Sequence, residues 1–96
     1  MSFKKKNIAI LGSTGSIGKT SVEVVKQNLI KFSVVLLSCN KNLKEISKQI
    51  KILNPKYVIV KNKTNYLKIL KKFSNRSIIV LNSFKDFKIK QKLDFT

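Results

Sequence analysis

The chain has 96 residues, of which 43% are apolar, and this size and composition suit one globular domain rather than a disordered segment. Its 21 basic residues against 4 acidic ones give a formal net charge of +17. The apolar runs are too short for a membrane-spanning helix, or for the core of a signal peptide behind the basic segment Met1–Lys6. The one cysteine, Cys39, cannot form an internal disulfide, so we expect a cytoplasmic protein with no membrane partner.

The high positive charge allows two interpretations, a polyanionic partner such as nucleic acid or a coding bias. Twenty of the 21 basic residues are Lys, and Lys, Asn and Ile together supply 41 of the 96 residues, as in genes rich in A and T. Arginine, the favoured reader of base edges, occurs only as Arg76. Because the lysines are spread along the whole chain, we favour coding bias. We expect weak, salt-sensitive adhesion to nucleic acid and no specific nucleic-acid partner.

Short apolar runs and amphipathic segments alternate along the chain, which predicts alternating strands and helices. The predicted elements are, in chain order, a strand at Asn7–Leu11, a helix at Ser16–Leu29, a strand at Phe32–Ser38, a helix at Asn42–Leu53, a strand at Tyr57–Val60, a helix at Asn62–Phe73 and a strand at Ser77–Leu81. The second helix ends before Pro55, because the residue preceding a proline is disfavoured in the helical region. After Asn82 the pattern weakens, and one short helical turn is predicted around Phe84–Phe87.

The apolar residues also predict which surfaces are buried. The first strand is predicted to be buried on both faces, as strands of parallel sheets are. The predicted inward-facing residues are Val22, Val24, Val25 and Leu29 in the first helix, Leu43, Ile46, Ile50 and Leu53 in the second, and Tyr66, Ile69, Leu70 and Phe73 in the third. Strand–helix alternation with short connections is typical of βαβ units. The predicted fold class is therefore α/β, a Rossmann-like βαβαβ half of a doubly wound parallel sheet.

The residues that the chain lacks exclude several kinds of chemistry. It has no histidine, so it cannot build a Ser–His or Cys–His nucleophile from its own residues. Its four carboxylates are scattered, which argues against a dedicated metal site. We therefore predict no catalytic residue and no metal ligand in this chain, and we interpret Cys39 as a small residue at a strand end.

All three glycines lie in the segment LGSTGSIGKT, Leu11–Thr20, which fits two kinds of phosphate-binding loop. Read from Gly12, it is G-x-x-G-x-x-G, a dinucleotide-binding turn. Read from Ser13, it lacks only the first glycine of G-x-x-x-x-G-K-[ST], the loop of P-loop nucleoside triphosphatases. The second interpretation is weaker, because no predicted strand ends in the Asp that would hold Mg²⁺. A glycine-rich turn without any ligand is the third alternative.

The dinucleotide interpretation gives each glycine a role. Gly12 allows a tight exit from the strand, and Gly15 lets the backbone approach a pyrophosphate. Gly18 lets the helix pack closely against the sheet. The amides of Ser16, Ile17 and Gly18 would then face the ligand at the positive end of the helix.

The residues after the second strand bear on the choice between NAD and NADP. An NAD-specific site places Asp or Glu there to bind the ribose 2′-hydroxyl. This chain has Asn40-Lys41-Asn42, and a lysine between two amides would attract a 2′-phosphate, so the sequence predicts a preference for NADP(H). The alternative is that Asn42 only caps the second helix and Lys41 is one surface lysine among many.

The run ILGSTGSIG, Ile10–Gly18, resembles the N-terminal signature of the 1-deoxy-D-xylulose 5-phosphate reductoisomerase family. The similarity continues through Asn40-Lys41-Asn42 and the turn Asn54-Pro55-Lys56-Tyr57. Where this chain has Asn40, the family usually has Gly. Related Gly-Ala-Thr-Gly turns occur in semialdehyde dehydrogenases and other NADP-dependent dehydrogenases, which are the main alternative.

The resemblance implies an NADPH-dependent enzyme of the non-mevalonate isoprenoid pathway. Such an enzyme converts 1-deoxy-D-xylulose 5-phosphate to 2-C-methyl-D-erythritol 4-phosphate with Mg²⁺ or Mn²⁺, and the family implies a homodimer. By position, the resemblance assigns the pyrophosphate to Thr14, Gly15, Ser16 and Ile17, and the adenosine 2′-phosphate to Asn40, Lys41 and Asn42.

Members of this family are several times longer than 96 residues, and their metal-binding and substrate-binding groups follow the position of Thr96. We therefore expect residues 1–96 to be a truncated N-terminal NADPH-binding domain, either a fragment or a decayed remnant. The catalytic and C-terminal domains would be absent, and the chain alone inactive. In the doubly wound order, the first strand would then have one unpaired side.

Overall fold

A computed structural model describes residues 5–87 of the chain. Strands and helices alternate in it, which confirms the α/β class expected from the sequence. Their bounds are β1 Lys6–Ile10, α1 Ser16–Lys26, β2 Phe32–Cys39, α2 Leu43–Leu53, β3 Tyr57–Val60, α3 Lys63–Lys72 and β4 Ile79–Leu81. Residues 84–87 form the short helical turn that was predicted there.

The four strands form one parallel sheet in the order β1-β2-β3-β4. Each new strand is added on the same side of the sheet, and crossovers between parallel strands are right-handed in nearly all proteins. Together these two conditions place all three helices on one face. Their buried residues, such as Val22, Ile46 and Ile69, share one hydrophobic core with Val58 and Val60 of β3.

The opposite face of the sheet has a smaller core. Tyr57 and Ile59 of β3 point to this face, because successive side chains of a strand alternate between faces. The helical turn at residues 84–87 packs against it through Phe84 and Phe87. The Phe87 ring stands edge-on to Tyr57, with 5.1 Å between the ring centroids and 81° between the planes. The turn therefore covers part of the face that the three helices leave open.

The pairing of β1 with β2 contains one irregularity. Ile8 pairs with Val34 but Ala9 pairs with Leu36, so Val35 is an extra residue in β2. A bulge of this kind shifts the alternation of side chains along the strand that carries it. Val35 and Leu36 accordingly both belong to the smaller core, although they are neighbours in sequence.

The end of α1 differs from the prediction. The helix ends at Lys26 rather than Leu29, and Leu29 is 40% exposed instead of buried. The Asn28 side chain donates to the carbonyl of Val24, while its backbone N–H donates to the carbonyl of Val25. Asparagine bonds of this kind compete with the helical ladder, which explains the early stop.

Two other apolar residues predicted to face the core are exposed, Val24 by 53% and Leu70 by 42%. Each lies beside the buried stripe of its helix rather than on it, next to Val25 and Ile69 respectively. β3 has the predicted bounds, and the remaining bounds differ from the prediction by at most two residues. The starts of α2 and α3 differ because Asn42 and Asn62 cap these helices instead of joining them. α2 ends before Pro55, as predicted, and its C-cap Asn54 lies in the left-handed region, with φ 47°.

The prediction that β1 is buried on both faces was wrong. Only Ile10 of β1 is buried, whereas Ala9 is exposed and Leu11, just beyond the strand, is 61% exposed. Within residues 5–87, no strand pairs with the outer edge of β1. That edge therefore presents unpaired backbone groups beside apolar side chains, which is a template for association.

We expect the 96-residue chain to self-associate as its concentration rises, through the outer edge of β1. A charge on an edge strand opposes such pairing, so Ala9→Lys should keep the chain monomeric. Val24→Lys adds the same charge on an exposed site of α1 and should behave like the original chain. Sedimentation velocity at physiological salt measures both; equal effects of the two substitutions would contradict edge pairing.

Candidate functional site

The glycine-rich turn joins β1 to α1 at the carboxyl end of the sheet. Gly12 has φ +63°, a left-handed conformation that residues with a side chain adopt rarely. The Gly15 N–H donates to the Gly12 carbonyl at 3.0 Å, and Gly15 is the N-cap of α1. The chain therefore turns sharply at Gly12 and enters the helix three residues later.

Gly18 allows the first turn of α1 to lie against the glycine-rich turn. A Cβ at Gly18 would be 2.1 Å from the Gly12 carbonyl oxygen and 2.7 Å from the Ser13 Cα. These are backbone atoms, so a side chain at this position would push α1 away from the turn. At Gly15, by contrast, a Cβ would meet only the Gly12 oxygen, at 3.4 Å. The protein itself leaves room at Gly15.

Three amides in the first turn of α1 have no acceptor among the described residues. The N–H groups of Ser16, Ile17 and Gly18 belong to the first turn of α1, where a helix has no internal partners for its amides. Gly15 caps the helix without a side-chain hydrogen bond, and the first turn has no acidic residue. The positive end of α1 is therefore available to an anion.

Two residues that the sequence patterns did not point to, Ser38 and Gln49, hold this turn in place. The Gly12 N–H donates to Ser38 Oγ at 2.9 Å, and the Ser13 N–H donates to the Ser38 carbonyl at 2.8 Å. On the other side, Gln49 Nε2 of α2 donates to the Ser13 carbonyl at 2.8 Å. Ser13 itself is fully buried. The carboxyl end of β2 and the buried face of α2 thus fix the backbone of the turn.

One signal for Gln49 was present in the sequence. The residue occupies a position between Ile46 and Leu53 on the inward face of α2, where a polar side chain needs a buried partner. Its partner, the carbonyl of Ser13, lies 36 residues away in sequence. The choice of partner follows from the tertiary fold and could not be predicted from the pattern.

The segment Asn40–Asn42 follows β2 at the same end of the sheet as the turn. Asn42 caps α2, because its Oδ1 accepts from the Glu45 N–H at 3.1 Å. Lys41 and Asn42 are both exposed. The cap uses only the oxygen of the Asn42 amide, so the Nδ2 donors beside Lys41 still face solvent. Capping and anion binding are therefore compatible at Asn42.

Two clefts flank the glycine-rich turn. One, of about 690 Å³, runs along the outer edge of β1 and the start of α1. The other, of about 320 Å³, lies over the carboxyl ends of β1, β2 and β3. Leu11 and Gly12 line both clefts. The smaller cleft also contains Lys61, whose Nζ lies 5.2 Å from the centre of the Phe84 ring.

The structure gives no support to the triphosphate-loop interpretation. Lys19 and Thr20 lie in the exposed first turns of α1, and the Thr20 hydroxyl donates to the Ser16 carbonyl at 3.1 Å. A triphosphate loop would instead use that hydroxyl on Mg²⁺. Among the described residues, no three His, Cys, Asp or Glu side chains come together as a metal site.

Cys39 lies at the end of β2 and is buried, in agreement with its interpretation as a small residue at a strand end. Burial raises the pKa of its thiol to about 11, because the desolvated thiolate is disfavoured. The thiol is therefore protonated at neutral pH and is a poor nucleophile. In the part of the chain that the structure describes, none of the helices is long and apolar enough to cross a membrane.

A parallel sheet whose first strand enters a helix through a glycine-rich turn with free amides defines a Rossmann-like domain. The chain belongs to the 1-deoxy-D-xylulose 5-phosphate reductoisomerase family, whose model matches residues 8–91. This confirms the resemblance seen in ILGSTGSIG.

Individual relatives agree with this assignment. The reductoisomerase of Pelagibacter ubique is 39% identical over 95 residues, which cover 95% of this chain and 24% of the relative. The chloroplastic reductoisomerase of Oryza sativa subsp. japonica is 42% identical over 59 residues, 62% of this chain and 12% of the relative. The chain thus spans about a quarter or less of the length of these relatives.

Solved structures share the fold. The reductoisomerase from Zymomonas mobilis in complex with NADPH matches with a TM-score of 0.76 and 24% identity, over 81% of this chain and 21% of that one. A reductoisomerase in complex with NADPH, fosmidomycin and magnesium matches with a TM-score of 0.73 and 22% identity, over 79% of this chain and 19% of that one.

We expect Gly18→Ala to destabilise the chain, because the added Cβ would overlap the backbone of Gly12 and Ser13. Overpacking of this kind costs about 1–3 kcal/mol or more. Gly15→Ala is the matched control, since its Cβ would make one ordinary contact and its φ is negative. Urea unfolding followed by circular dichroism measures both; equal stability of Gly18→Ala and the original chain would contradict the close packing.

Proposed function

We propose that this chain is a dinucleotide-binding domain, residues 1–96, and that it binds NADPH. The observation that carries the proposal is the row of unpartnered amides at Ser16, Ile17 and Gly18, held against β1 by the Gly12–Gly18 contact. A pyrophosphate would supply the acceptors that these amides lack. Gly15 lines the same cleft, and Thr14 is assigned to the pyrophosphate from its position in the turn. The solved relative from Zymomonas mobilis is a complex with NADPH, which supports the choice of ligand.

The adenosine end of the cofactor fits the smaller cleft. This cleft joins the glycine-rich turn to Asn40 and contains the Phe84 ring, an apolar surface on which a base can pack. Beside it, Lys41 and the Asn42 amide nitrogen offer positive charge and donors to a 2′-phosphate. No carboxylate occupies the place where an NAD-specific site has one. The site therefore favours NADPH over NADH.

We propose that the full-length protein containing this domain has the activity of the reductoisomerase family. It would reduce and isomerise 1-deoxy-D-xylulose 5-phosphate to 2-C-methyl-D-erythritol 4-phosphate with NADPH and Mg²⁺ or Mn²⁺, as a homodimer in the cytoplasm. One solved family member is a complex with magnesium, which supports the metal. Among residues 5–87, however, no three His, Cys, Asp or Glu side chains come together to hold that metal. The metal ligands and substrate-binding groups would belong to other parts of such a protein.

Gly15→Ala should weaken NADPH binding about tenfold or more while leaving the fold intact, because the Cβ would enter the space of the pyrophosphate. Thr20→Ala is the control, since its hydroxyl bonds only to its own helix and NADPH affinity should stay the same. Calorimetric titration with NADPH and with ATP plus Mg²⁺ tests the proposal. Unchanged NADPH affinity in folded Gly15→Ala, or tighter binding of ATP than NADPH, would refute it.

Lys41→Glu should weaken NADPH binding at least about tenfold and leave NADH binding nearly unchanged, because it sets a negative charge beside the 2′-phosphate. Two charges 4 Å apart interact by about 1–4 kcal/mol near a protein surface, enough for such a change. Lys44→Glu makes the same change of charge one turn along the chain in α2 and controls for the net charge. Equal losses for both cofactors in Lys41→Glu would mean that Lys41 acts only through general charge.

The purified 96-residue chain should not turn over 1-deoxy-D-xylulose 5-phosphate. Its three carboxylates within the described residues, Glu23, Glu45 and Asp86, do not form a metal site. Absorbance at the NADPH band, with substrate and Mg²⁺ or Mn²⁺ present, measures the reaction. Turnover above the rate without protein would show that the active site is within this chain.

A further inference from the structure

The segment that carries Lys41 is held from the neighbouring βα unit. The Lys61 N–H donates to the Cys39 carbonyl at 3.0 Å, and the Asn62 N–H donates to the Asn40 carbonyl at 3.1 Å. A third bond continues this row, because Asn65 Nδ2 of α3 donates to the carbonyl of Lys41. Three successive carbonyls, beginning with the last residue of β2, are therefore bonded to residues just before α3 and in its first turn.

The third bond differs from the other two in its donor. Backbone donors hold Cys39 and Asn40, but a side chain holds Lys41, so only this bond depends on residue type. Asn65 is itself fixed, since its backbone N–H donates to the Asn62 side chain at 3.0 Å as part of the cap of α3. Asn65, which is partly buried in the capped first turn of α3, thus anchors the exposed Lys41, 24 residues earlier in the sequence.

This anchor acts on the backbone just before the α2 cap. Fixing the Lys41 carbonyl fixes the peptide group between Lys41 and Asn42, and therefore the point from which the Asn42 side chain starts. The Asn42 oxygen is already bound to the Glu45 N–H. With both constraints in place, the Lys41 backbone and the Asn42 side-chain amide are held in position, which limits the volume that the Lys41 ammonium can reach. Such preorganisation lowers the entropic cost of binding an anion.

We infer that Asn65 is a positioning residue for cofactor selectivity: it holds Lys41 and Asn42 in the arrangement that binds the adenosine 2′-phosphate. The inference rests on the function proposed above. It adds a residue that would contact no part of the cofactor and that lies in α3, outside both clefts and the glycine-rich turn.

The test compares two probes that differ only in the 2′-phosphate, adenosine 2′,5′-bisphosphate and adenosine 5′-monophosphate. Asn65→Leu keeps the size of the side chain and the backbone N–H but removes the donor. Asn65→Ala is a second variant that favours helix, in case leucine disturbs folding. Asn28→Leu is the matched control, because it removes an equivalent side-chain bond, Asn28 Nδ2 to the Val24 carbonyl, far from this segment.

In folded Asn65→Leu and Asn65→Ala, the ratio of the two affinities should fall about three- to tenfold, the range that one neutral hydrogen bond corresponds to. Affinity for the monophosphate should change less than about twofold, and Asn28→Leu should change neither. An unchanged ratio, or an equal loss for both probes, would overturn the inference while leaving the proposed function in place. If the original chain binds both probes equally, the proposed NADP preference fails, and the role of Asn65 fails with it.

Discussion

The close approach of α1 to the glycine-rich turn is the constraint on which the rest of the site depends. With no side chain at Gly18, the first turn of the helix lies directly against Gly12 and Ser13. That approach aims the three unpartnered amides at the space beside β1 rather than at protein acceptors. Ser16 and Ile17 are exposed, and Gly18 is buried but lines the cleft beside β1, so acceptors for these amides can come from solvent or from a ligand in that cleft.

The glycine-rich turn is held in place because two elements distant in sequence form hydrogen bonds with its backbone. Ser38 at the end of β2 binds Gly12 and Ser13, and Gln49 of α2 binds Ser13 from the other side. Beside the turn, the segment that follows β2 is held in the same way, by hydrogen bonds from residues at the start of α3. Each of the two segments proposed to face the cofactor is thus fixed by the following βα unit. A parallel sheet in sequential order makes this possible, since consecutive strand ends lie side by side.

The fold was largely predictable from the sequence, and the site only partly. Tyr57–Val60 was predicted with the bounds that the structure has, because four apolar residues between lysines allow little else. The burial of β1 was predicted wrongly, since an apolar run shows what a strand can bury and not which neighbours it has. The glycines and Asn40–Asn42 could be proposed as site residues from their residue types and their positions after predicted strands. Ser38, Gln49 and Asn65 did not, because their partners lie 24 to 36 residues away and are set by the fold.

Because the chain has a net charge of +17, NADPH binding at a specific site must be distinguished from the general attraction of anions to the surface. A ¹⁵N-resolved NMR titration of the chain with NADPH at physiological salt does so most directly, because it reports each backbone amide separately. We expect the largest shifts at Ser16, Ile17 and Gly18, with a second group at residues 40–42. Shifts spread over the lysine-bearing surfaces of α2 and α3, and lost on adding salt, would contradict it.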